Sequence, residues 1–238
     1  MIEKLEKIRE SEMKSHMAIY SETPLFEKGT WLEAPIKTVM EILPFFENEV
    51  RLRVLDLGAG IGRNSIPIAQ KYNSIDCIVD CVDILEFAIE KLYEYSEKYN
   101  VREHINGVVT PLEQFSICPE KYNLIMAVSA LEHINSEAAF YEKLKEIKNG
   151  ICEKGIVCLV VNSEVKETGK LDKKCYQPQF EVNFSTEKME YVLRDVFCDW
   201  KEIKFSISKQ QYEVHRESFQ VNLETNVVTL VAQKLKNL

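Results

Sequence analysis

Three glycines at alternate positions mark where the backbone of this chain can meet a ligand. Gly58, Gly60 and Gly62 follow a short apolar run, 53–57, that predicts a buried strand, and a predicted helix comes next. A glycine-rich turn between a strand and a helix lets the backbone approach a ligand closely and directs free N–H groups at it. The dinucleotide-binding fingerprint has its third glycine three residues after the second. Arg63 stands at that position, so a nicotinamide oxidoreductase is a remote interpretation.

A carboxylate at the end of the next apolar run is suited to a nucleotide-type ligand. Asp83 ends the predicted strand 75–82 and lies 25 residues after Gly58. A carboxylate at about this distance, on the second strand, binds ribose hydroxyls in nucleotide sites. It accepts two charge-assisted hydrogen bonds from the diol. Asp76 and Asp80 are an odd number of residues from Asp83, so we expect them on the opposite face of the strand.

The segment 54–65 as a whole resembles the first motif of the class I S-adenosylmethionine-dependent methyltransferases. In that motif an acidic strand residue, here Asp56, is followed by Gly-x-Gly-x-Gly. The resemblance covers roughly residues 50–165 and implies S-adenosylmethionine as cofactor and S-adenosylhomocysteine as product. It implies that the following residues of the first two strands and their turns contact the cofactor: Asp56, Gly58, Ala59, Gly60, Gly62, Arg63, Asn64, Asp83 and Ile84.

Strand and helix patterns alternate along the chain, which is typical of a parallel sheet covered on both faces. Apolar runs predict strands near 53–57, 75–82, 105–109, 122–128 and 156–161, followed by a polar loop to about 179, a helix at 185–197 and strands at 201–208 and 227–233. We therefore expect an α/β fold: a doubly wound, seven-stranded, mostly parallel, Rossmann-like sheet with an N-terminal helical arm. We interpret 1–238 as one domain, with an arm or lid (1–48), a cofactor core (49–165) and a substrate side (166–238).

In such a fold the ligand lies at the carboxyl ends of the strands, where their order reverses. After the fourth strand, residues 129–134 resemble the methyltransferase segment that passes beneath the methionine end of the cofactor. The resemblance implies that Ser129 contacts the cofactor and that Glu132 and His133 are the titratable residues nearest the methyl donor. An imidazole at His133 can orient an acceptor or take its proton. After the third strand, Thr110 stands where the family usually has an acidic residue for adenine. Adenine contacts are then expected from backbone groups and from Leu112 or Glu113.

Two further segments resemble the tellurite-resistance methyltransferases. The glycine motif continues as Gly62-Arg63-Asn64-Ser65, and the tail has the content and order of that family's closing strands, including Glu213-Val214-His215-Arg216. The resemblance implies that His215 and Arg216 bind or orient the acceptor. Asn226 stands where a further arginine of that family is expected, so this chain lacks one positive charge that the resemblance implies for an oxyanion site.

The segment 20–31 combines aromatic residues with turn residues, and two interpretations stay open. It can fold over the crevice as a lid that excludes water, with Tyr20 and Trp31 as pocket contacts, or it can be a packing arm. Tyr20 is counted among the expected cofactor contacts.

The amino-acid composition disfavours several classes of binding partner. The net charge of −8 disfavours a broad nucleic-acid surface, and no apolar run approaches the roughly 20 residues of a membrane span. Seven irregularly spaced cysteines are interpreted as free thiols in a cytoplasmic protein. The four histidines do not cluster with the cysteines, so no metal site is expected. We expect a monomer or homodimer.

These features together predict an enzyme that transfers a methyl group from S-adenosylmethionine to a small molecule by in-line displacement. The acceptor suggested by the resemblance is a soft anion such as tellurite or selenite, or a thiol. The alternatives are a methyltransferase acting on RNA or protein, and a non-catalytic sensor that binds S-adenosylmethionine or S-adenosylhomocysteine.

Overall fold

The protein is built on one β-sheet. The structure, a computed structural model, describes residues 2–216 and 219–236, with side chains from residue 8 onward except that of His215. The strands in these residues are β1 (Arg51–Leu57), β2 (Asp76–Asp83), β3 (Ile105–Val109), β4 (Tyr122–Val128), β5 (Ile151–Gly169), β6 (Cys175–Tyr176), β7 (Lys201–Arg216) and β8 (Phe219–Gln233). Seven of them follow the order β3-β2-β1-β4-β5-β8-β7, and the short β6 pairs with β5.

The sheet is mostly parallel and doubly wound. The pairs β1–β2, β2–β3, β1–β4 and β4–β5 are parallel, whereas β8 is antiparallel to both β5 and β7. The strand order reverses between β1 and β4, which is where ligands bind in such sheets. The predicted fold class is confirmed.

Helices cover both faces of the sheet. They are α1 (Ile2–Glu22), α2 (Lys37–Ile42), α3 (Ser65–Lys71), α4 (Glu86–Lys98), α5 (Glu137–Gly150) and α6 (Thr186–Val196). One apolar layer joins α2, α3 and α4 to the sheet and includes Val39, Ile66, Leu92, Leu52 and Val54. The other joins α5 and α6 to the opposite face and includes Leu144, Leu193, Leu55 and Leu57. No helix in the described part of the chain combines the length and apolarity that a membrane crossing requires.

Helix starts follow from local chemistry. Ser136 caps α5 by accepting a hydrogen bond from Ala139 N at 3.2 Å. Ser185 caps α6 in the same way, accepting from Lys188 N at 3.3 Å.

The main difference from the predicted elements lies after residue 161. The expected polar loop is wrong over 162–169, because β5 continues to Gly169, and β7 and β8 extend to meet it. Buried and exposed residues do alternate here, but two of the buried positions, Ser163 and Glu167, are polar, so the alternation of hydrophobicity is hidden. We call the extended parts of these strands, residues 163–169, 209–216 and 219–226, the wing.

Candidate active site

The backbone of the glycine-rich turn packs against the end of β2 and against the segment that follows β4. The N–H groups of Gly58 and Ala59 donate to Val82 O at 2.8 and 3.0 Å, which fixes the turn to the end of β2. A Cβ added at Gly58 would lie 2.4 Å from the Cβ of Ala130, which follows β4. Only glycine allows this close approach, so the turn and the segment after β4 form adjoining walls of one crevice.

Asp83 closes the crevice at the end of β2. Its carboxylate accepts hydrogen bonds from Gly60 N at 2.8 Å and from Leu85 N at 2.9 Å, one on each oxygen. Burial raises its pKa. Each carboxylate oxygen has more than one acceptor position, so Asp83 can hold the turn and still accept hydrogen bonds from a diol.

Asp80 points to the opposite face, as strand alternation predicts. It accepts hydrogen bonds from Lys121 Nζ at 2.6 Å and from the Tyr122 hydroxyl at 2.8 Å. These contacts give it a structural role away from the crevice.

Asp56 lies buried behind the glycine turn. One oxygen accepts a hydrogen bond from Ser65 Oγ at 2.5 Å, and the other has no hydrogen-bond partner among the described residues. Burial raises the pKa of Asp56 to about 7. A buried carboxylate oxygen without a partner is costly, and a positively charged ligand group would satisfy it.

The crevice is a cavity of about 130 Å³ at the carboxyl ends of β1 to β4. Eight of the sequence-predicted residues line it: Tyr20, Gly58, Asp83, Ile84, Leu112, Glu113, Ser129 and His133. Ala59, Gly60 and Gly62 belong to the turn behind it. Two neighbours of the turn contact the N-terminal segment instead: Asn64 Oδ1 accepts from Ile36 N at 3.0 Å, and Arg63 Nε donates to Ala34 O at 2.8 Å.

Helix α1 forms the remaining wall, and of its residues there the sequence analysis named only Tyr20. It contributes Arg9, Glu12, Met13, His16 and Tyr20 to the cavity. Arg9, Met13, His16 and Tyr20 are four, three and four residues apart, so they lie on one face of the helix. This spacing is the feature of the sequence from which a common face could have been predicted. Trp31 is half exposed beside Tyr20, with ring centroids 6.2 Å apart, and does not line the cavity.

Ion pairs join α1 to the crevice floor. Arg9 contacts Glu113 at 2.6 Å and Glu181 at 3.4 Å. Glu181 also contacts His133 Nδ1 at 3.1 Å, and the imidazole stacks on Phe180. Burial disfavours the imidazolium, but Glu181, Glu132 and Glu12 outweigh it and raise the pKa of His133 to about 9. His133 is therefore protonated at neutral pH and unable to take a proton there.

A second ionic cluster joins α1 to the wing. The buried Arg216 guanidinium donates to both oxygens of the buried Glu167 and, at 2.8 Å, to Glu12 of α1. Its charge is therefore compensated within the protein. His215 pairs with Gln220 in the β7–β8 ladder, and its side chain lies outside the described residues.

Glu132 follows β4 and is completely buried. One carboxylate oxygen accepts from Asn162 N at 3.1 Å and from the Asn162 side-chain amide. The other has no hydrogen-bond partner in the described part of the structure. Burial raises the pKa of Glu132.

The sequence family described as AdoMet dependent proline di-methyltransferase matches residues 37–225. The protein belongs to this family. The resemblance to S-adenosylmethionine-dependent methyltransferases is confirmed, and the cofactor is S-adenosylmethionine. No curated protein matches the chain.

Solved methyltransferase structures share the fold. TehB from Haemophilus influenzae, a tellurite-resistance methyltransferase, has a TM-score of 0.60 at 20% identity over 83% of this chain, which spans 61% of the TehB chain. A SAM-dependent methyltransferase from Methanosarcina mazei has a TM-score of 0.59 at 13% identity, and the match covers 86% of this chain and 100% of the other. A third match is phosphoethanolamine N-methyltransferase 2 from Haemonchus contortus, in complex with phosphomonomethylethanolamine and S-adenosylhomocysteine. It has a TM-score of 0.58 at 13% identity, and the match covers 93% of this chain and 58% of the other. At these identities the likeness shows the fold alone.

The crevice of this family member fits its cofactor. Asp83 has acceptor positions for the ribose hydroxyls, and the unpartnered oxygen of Asp56 suits the ammonium group of the methionine moiety. Leu112 and Glu113 lie where the adenine ring is expected, although Glu113 already binds Arg9. Among the described residues, no group of histidine, cysteine or carboxylate side chains is arranged to hold a metal ion.

Proposed function

We propose that this methyltransferase transfers the methyl group to the nitrogen of a small, positively charged amine. The observation that carries the proposal is the charge around the crevice. The crevice and the side chains directly behind it contain five glutamates, Glu12, Glu113, Glu132, Glu167 and Glu181, against Arg9, Arg216 and the protonated His133. This excess of carboxylates favours a cationic acceptor.

The tellurite-resistance resemblance implies a different acceptor, a soft anion or a thiol. An anion site needs a cation whose charge is not already compensated by carboxylates of the protein. Arg216 binds Glu167 and Glu12, and Arg9 binds Glu113 and Glu181. Recruiting either arginine to an anion would leave a buried carboxylate unpaired, so these contacts support an amine over an oxyanion.

The names of related proteins also support a nitrogen acceptor. The family description names proline as its methylated group, and the Haemonchus contortus structure is of an N-methyltransferase. Both acceptors present an amine, which is the chemistry that the carboxylates of this crevice suit.

The protein contributes positioning and exclusion of water. S-adenosylmethionine supplies a methyl group on a positively charged sulfur, which leaves with the electrons of the broken C–S bond. Asp83 and Asp56 would orient the donor, and α1 closes the crevice over Gly60 through Tyr20. Correct alignment of the reacting atoms can contribute about 7–11 kcal/mol of the barrier reduction.

A radiolabel-transfer assay tests this function. Labelled S-adenosylmethionine is offered with prolylglycine, L-proline or phosphoethanolamine, and in parallel with selenite, tellurite or 2-mercaptoethanol. We expect transfer to at least one amine and none to the anions or the thiol. Transfer to an anion or the thiol alone would refute the amine acceptor. Cofactor binding without transfer to any compound would also refute it and would favour the sensor.

A further inference from the structure

We propose that Arg9 is an ionic latch. It holds the N-terminal part of helix α1 on Glu113 and Glu181, and the crevice admits S-adenosylmethionine only after these contacts open. The Arg9 side chain leaves the crevice when the cofactor binds. The latch controls entry of the cofactor, so it goes beyond the acceptor proposed above and does not depend on it.

The closed crevice is too small for the cofactor. Its volume is about 130 Å³, whereas sites that enclose ligands of the size of S-adenosylmethionine have about 300–1,000 Å³. The glycine turn and the ends of β2 and β4 belong to the hydrogen-bonded sheet, so these walls are fixed. Arg9, by contrast, lines the cavity from α1, which is not part of the sheet. Helix α1 is therefore the wall that has to move.

The two ends of α1 are held by different kinds of contact. Toward the end of the helix, Met13 and Tyr20 pack against the apolar core. The preceding part is attached through the polar side chains of Arg9, Ser11 and Glu12, which form hydrogen bonds and ion pairs. Segments with few buried apolar contacts open most readily. The N-terminal part of α1 can therefore lift while the end of the helix stays packed.

The contacts of Arg9 are less complete than those of Arg216. Arg9 Nη2 donates to Glu113 at 2.6 Å, but Arg9 Nε is buried without a hydrogen-bond partner among the described residues and lies 3.4 Å from Glu181 Oε1. Arg216, in contrast, donates to both oxygens of Glu167. A buried donor without a partner destabilises the closed arrangement. Of these two arginines, Arg9 is thus the one whose contacts open at the lower cost.

Opening the latch leaves neither carboxylate without a partner. Glu181 keeps its contact with the protonated His133, at 3.1 Å. Glu113 lines the cavity next to Leu112, where the adenine ring is expected. The exocyclic amino group of adenine is a hydrogen-bond donor, so it suits the Glu113 carboxylate that Arg9 releases. Arg9 and the adenine ring therefore compete for the same carboxylate.

The test compares Arg9→Met with wild type, using surface plasmon resonance to measure the rates at which S-adenosylhomocysteine associates and dissociates. Methionine keeps the helix propensity of arginine but removes its charge and its donors. Lys14→Met is the matched control, because it removes the same charge from the same helix and Lys14 pairs with Glu10, also on α1, at 2.9 Å.

We expect S-adenosylhomocysteine to associate about tenfold faster with Arg9→Met, because a larger fraction of the molecules is open. Its dissociation rate should be unchanged, so its affinity should rise about tenfold. Lys14→Met should match wild type in both rates. An association rate equal to that of wild type in Arg9→Met would refute the latch. Dissociation accelerated as much as association would refute it too, because Arg9 would then also hold α1 over the bound compound.

The salt dependence of the wild type gives a result that does not depend on folding of the variant. S-adenosylhomocysteine has no net charge at neutral pH, so salt acts mainly on the ion pairs of the protein. Between about 0.1 and 1 M sodium chloride the Debye length falls from about 10 to 3 Å. Association with the wild type should accelerate about threefold over this range, and the acceleration should be smaller in Arg9→Met. A wild-type association rate that is constant or falls with salt would overturn the proposal.

Discussion

The hydroxyl of Tyr20, in the last turn of α1, lies against the backbone of Gly60: a Cβ added at Gly60 would be 2.7 Å from the Tyr20 oxygen. Gly60 also donates its N–H to Asp83, so α1, the glycine turn and the carboxylate at the end of β2 meet at one residue. The position of α1 over the crevice therefore depends on the absence of a side chain at Gly60.

We predict that Gly60→Ala weakens cofactor binding by displacing Tyr20 and the end of α1. Its φ of +53° adds strain of about 1–2 kcal/mol for a residue with a Cβ. Gly29→Ala is the control, since Gly29 has a φ of +80° but nothing within 4 Å of an added Cβ. Calorimetry with S-adenosylhomocysteine should show at least tenfold weaker binding for Gly60→Ala and wild-type binding for Gly29→Ala, while both lower the melting temperature. Equal affinities would contradict the contact.

Asp83→Asn should reduce cofactor affinity by at least tenfold. Hydrogen bonds to a charged group contribute about 1.5–3 kcal/mol each, and an amide presents one acceptor oxygen where the carboxylate presents two. Asp76→Asn is the matched control at the other end of β2, where Asp76 pairs with Arg53 at the surface. The measurement is again calorimetry with S-adenosylhomocysteine. Unchanged affinity in Asp83→Asn would remove the ribose assignment.

The crevice wall formed by the glycine turn and the end of β2 was predictable, because the residues that form it follow one another closely in the sequence. The strand, the three glycines and Asp83 follow one another along the chain, and the alternation of β2 already separates Asp83 from Asp80. Apart from Tyr20, the part of the site contributed by α1 was not predictable, because the spacing of residues along a helix does not show which surface the helix covers. Arg216 contacts Glu167 and Glu12, which lie 49 and 204 residues away in sequence, so no spacing rule could pair them.

We predict that Glu181→Gln lowers the pKa of His133 toward its ordinary value. In the wild type that pKa is raised from 6.5 to about 9, so the pairing stabilises the fold fully below pH 6.5 and is lost as the pH rises through 9. Its contribution is on the order of 1–3 kcal/mol. Chemical denaturation from pH 6 to 9.5 should show a decline in wild type that is smaller in Glu181→Gln.

Histidine NMR titration provides the direct check on His133. The imidazole should remain protonated at pH 7.5 in the wild type and lose its proton at lower pH in the variant. His16 is an internal reference, because burial lowers its pKa and it should titrate below the ordinary range in both proteins. A neutral His133 at pH 7 in the wild type would contradict the ion pair and would restore this residue as a candidate base.

Substitutions of Arg216 and Glu167 test whether Arg216 stabilises the fold or binds the acceptor. Arg216→Met should cost about 3–5 kcal/mol of unfolding free energy, because it leaves the buried Glu167 carboxylate without a cationic partner. The double variant Arg216→Met/Glu167→Met should recover most of this loss.

The control is the exposed Lys188–Glu137 pair. Breaking it by Lys188→Met should cost at most about 1 kcal/mol of unfolding free energy. A stable double variant with wild-type KM for an amine would assign Arg216 to the fold. A stable double variant that binds cofactor but has a greatly raised acceptor KM would instead support the acceptor-binding role implied by the tellurite-resistance resemblance.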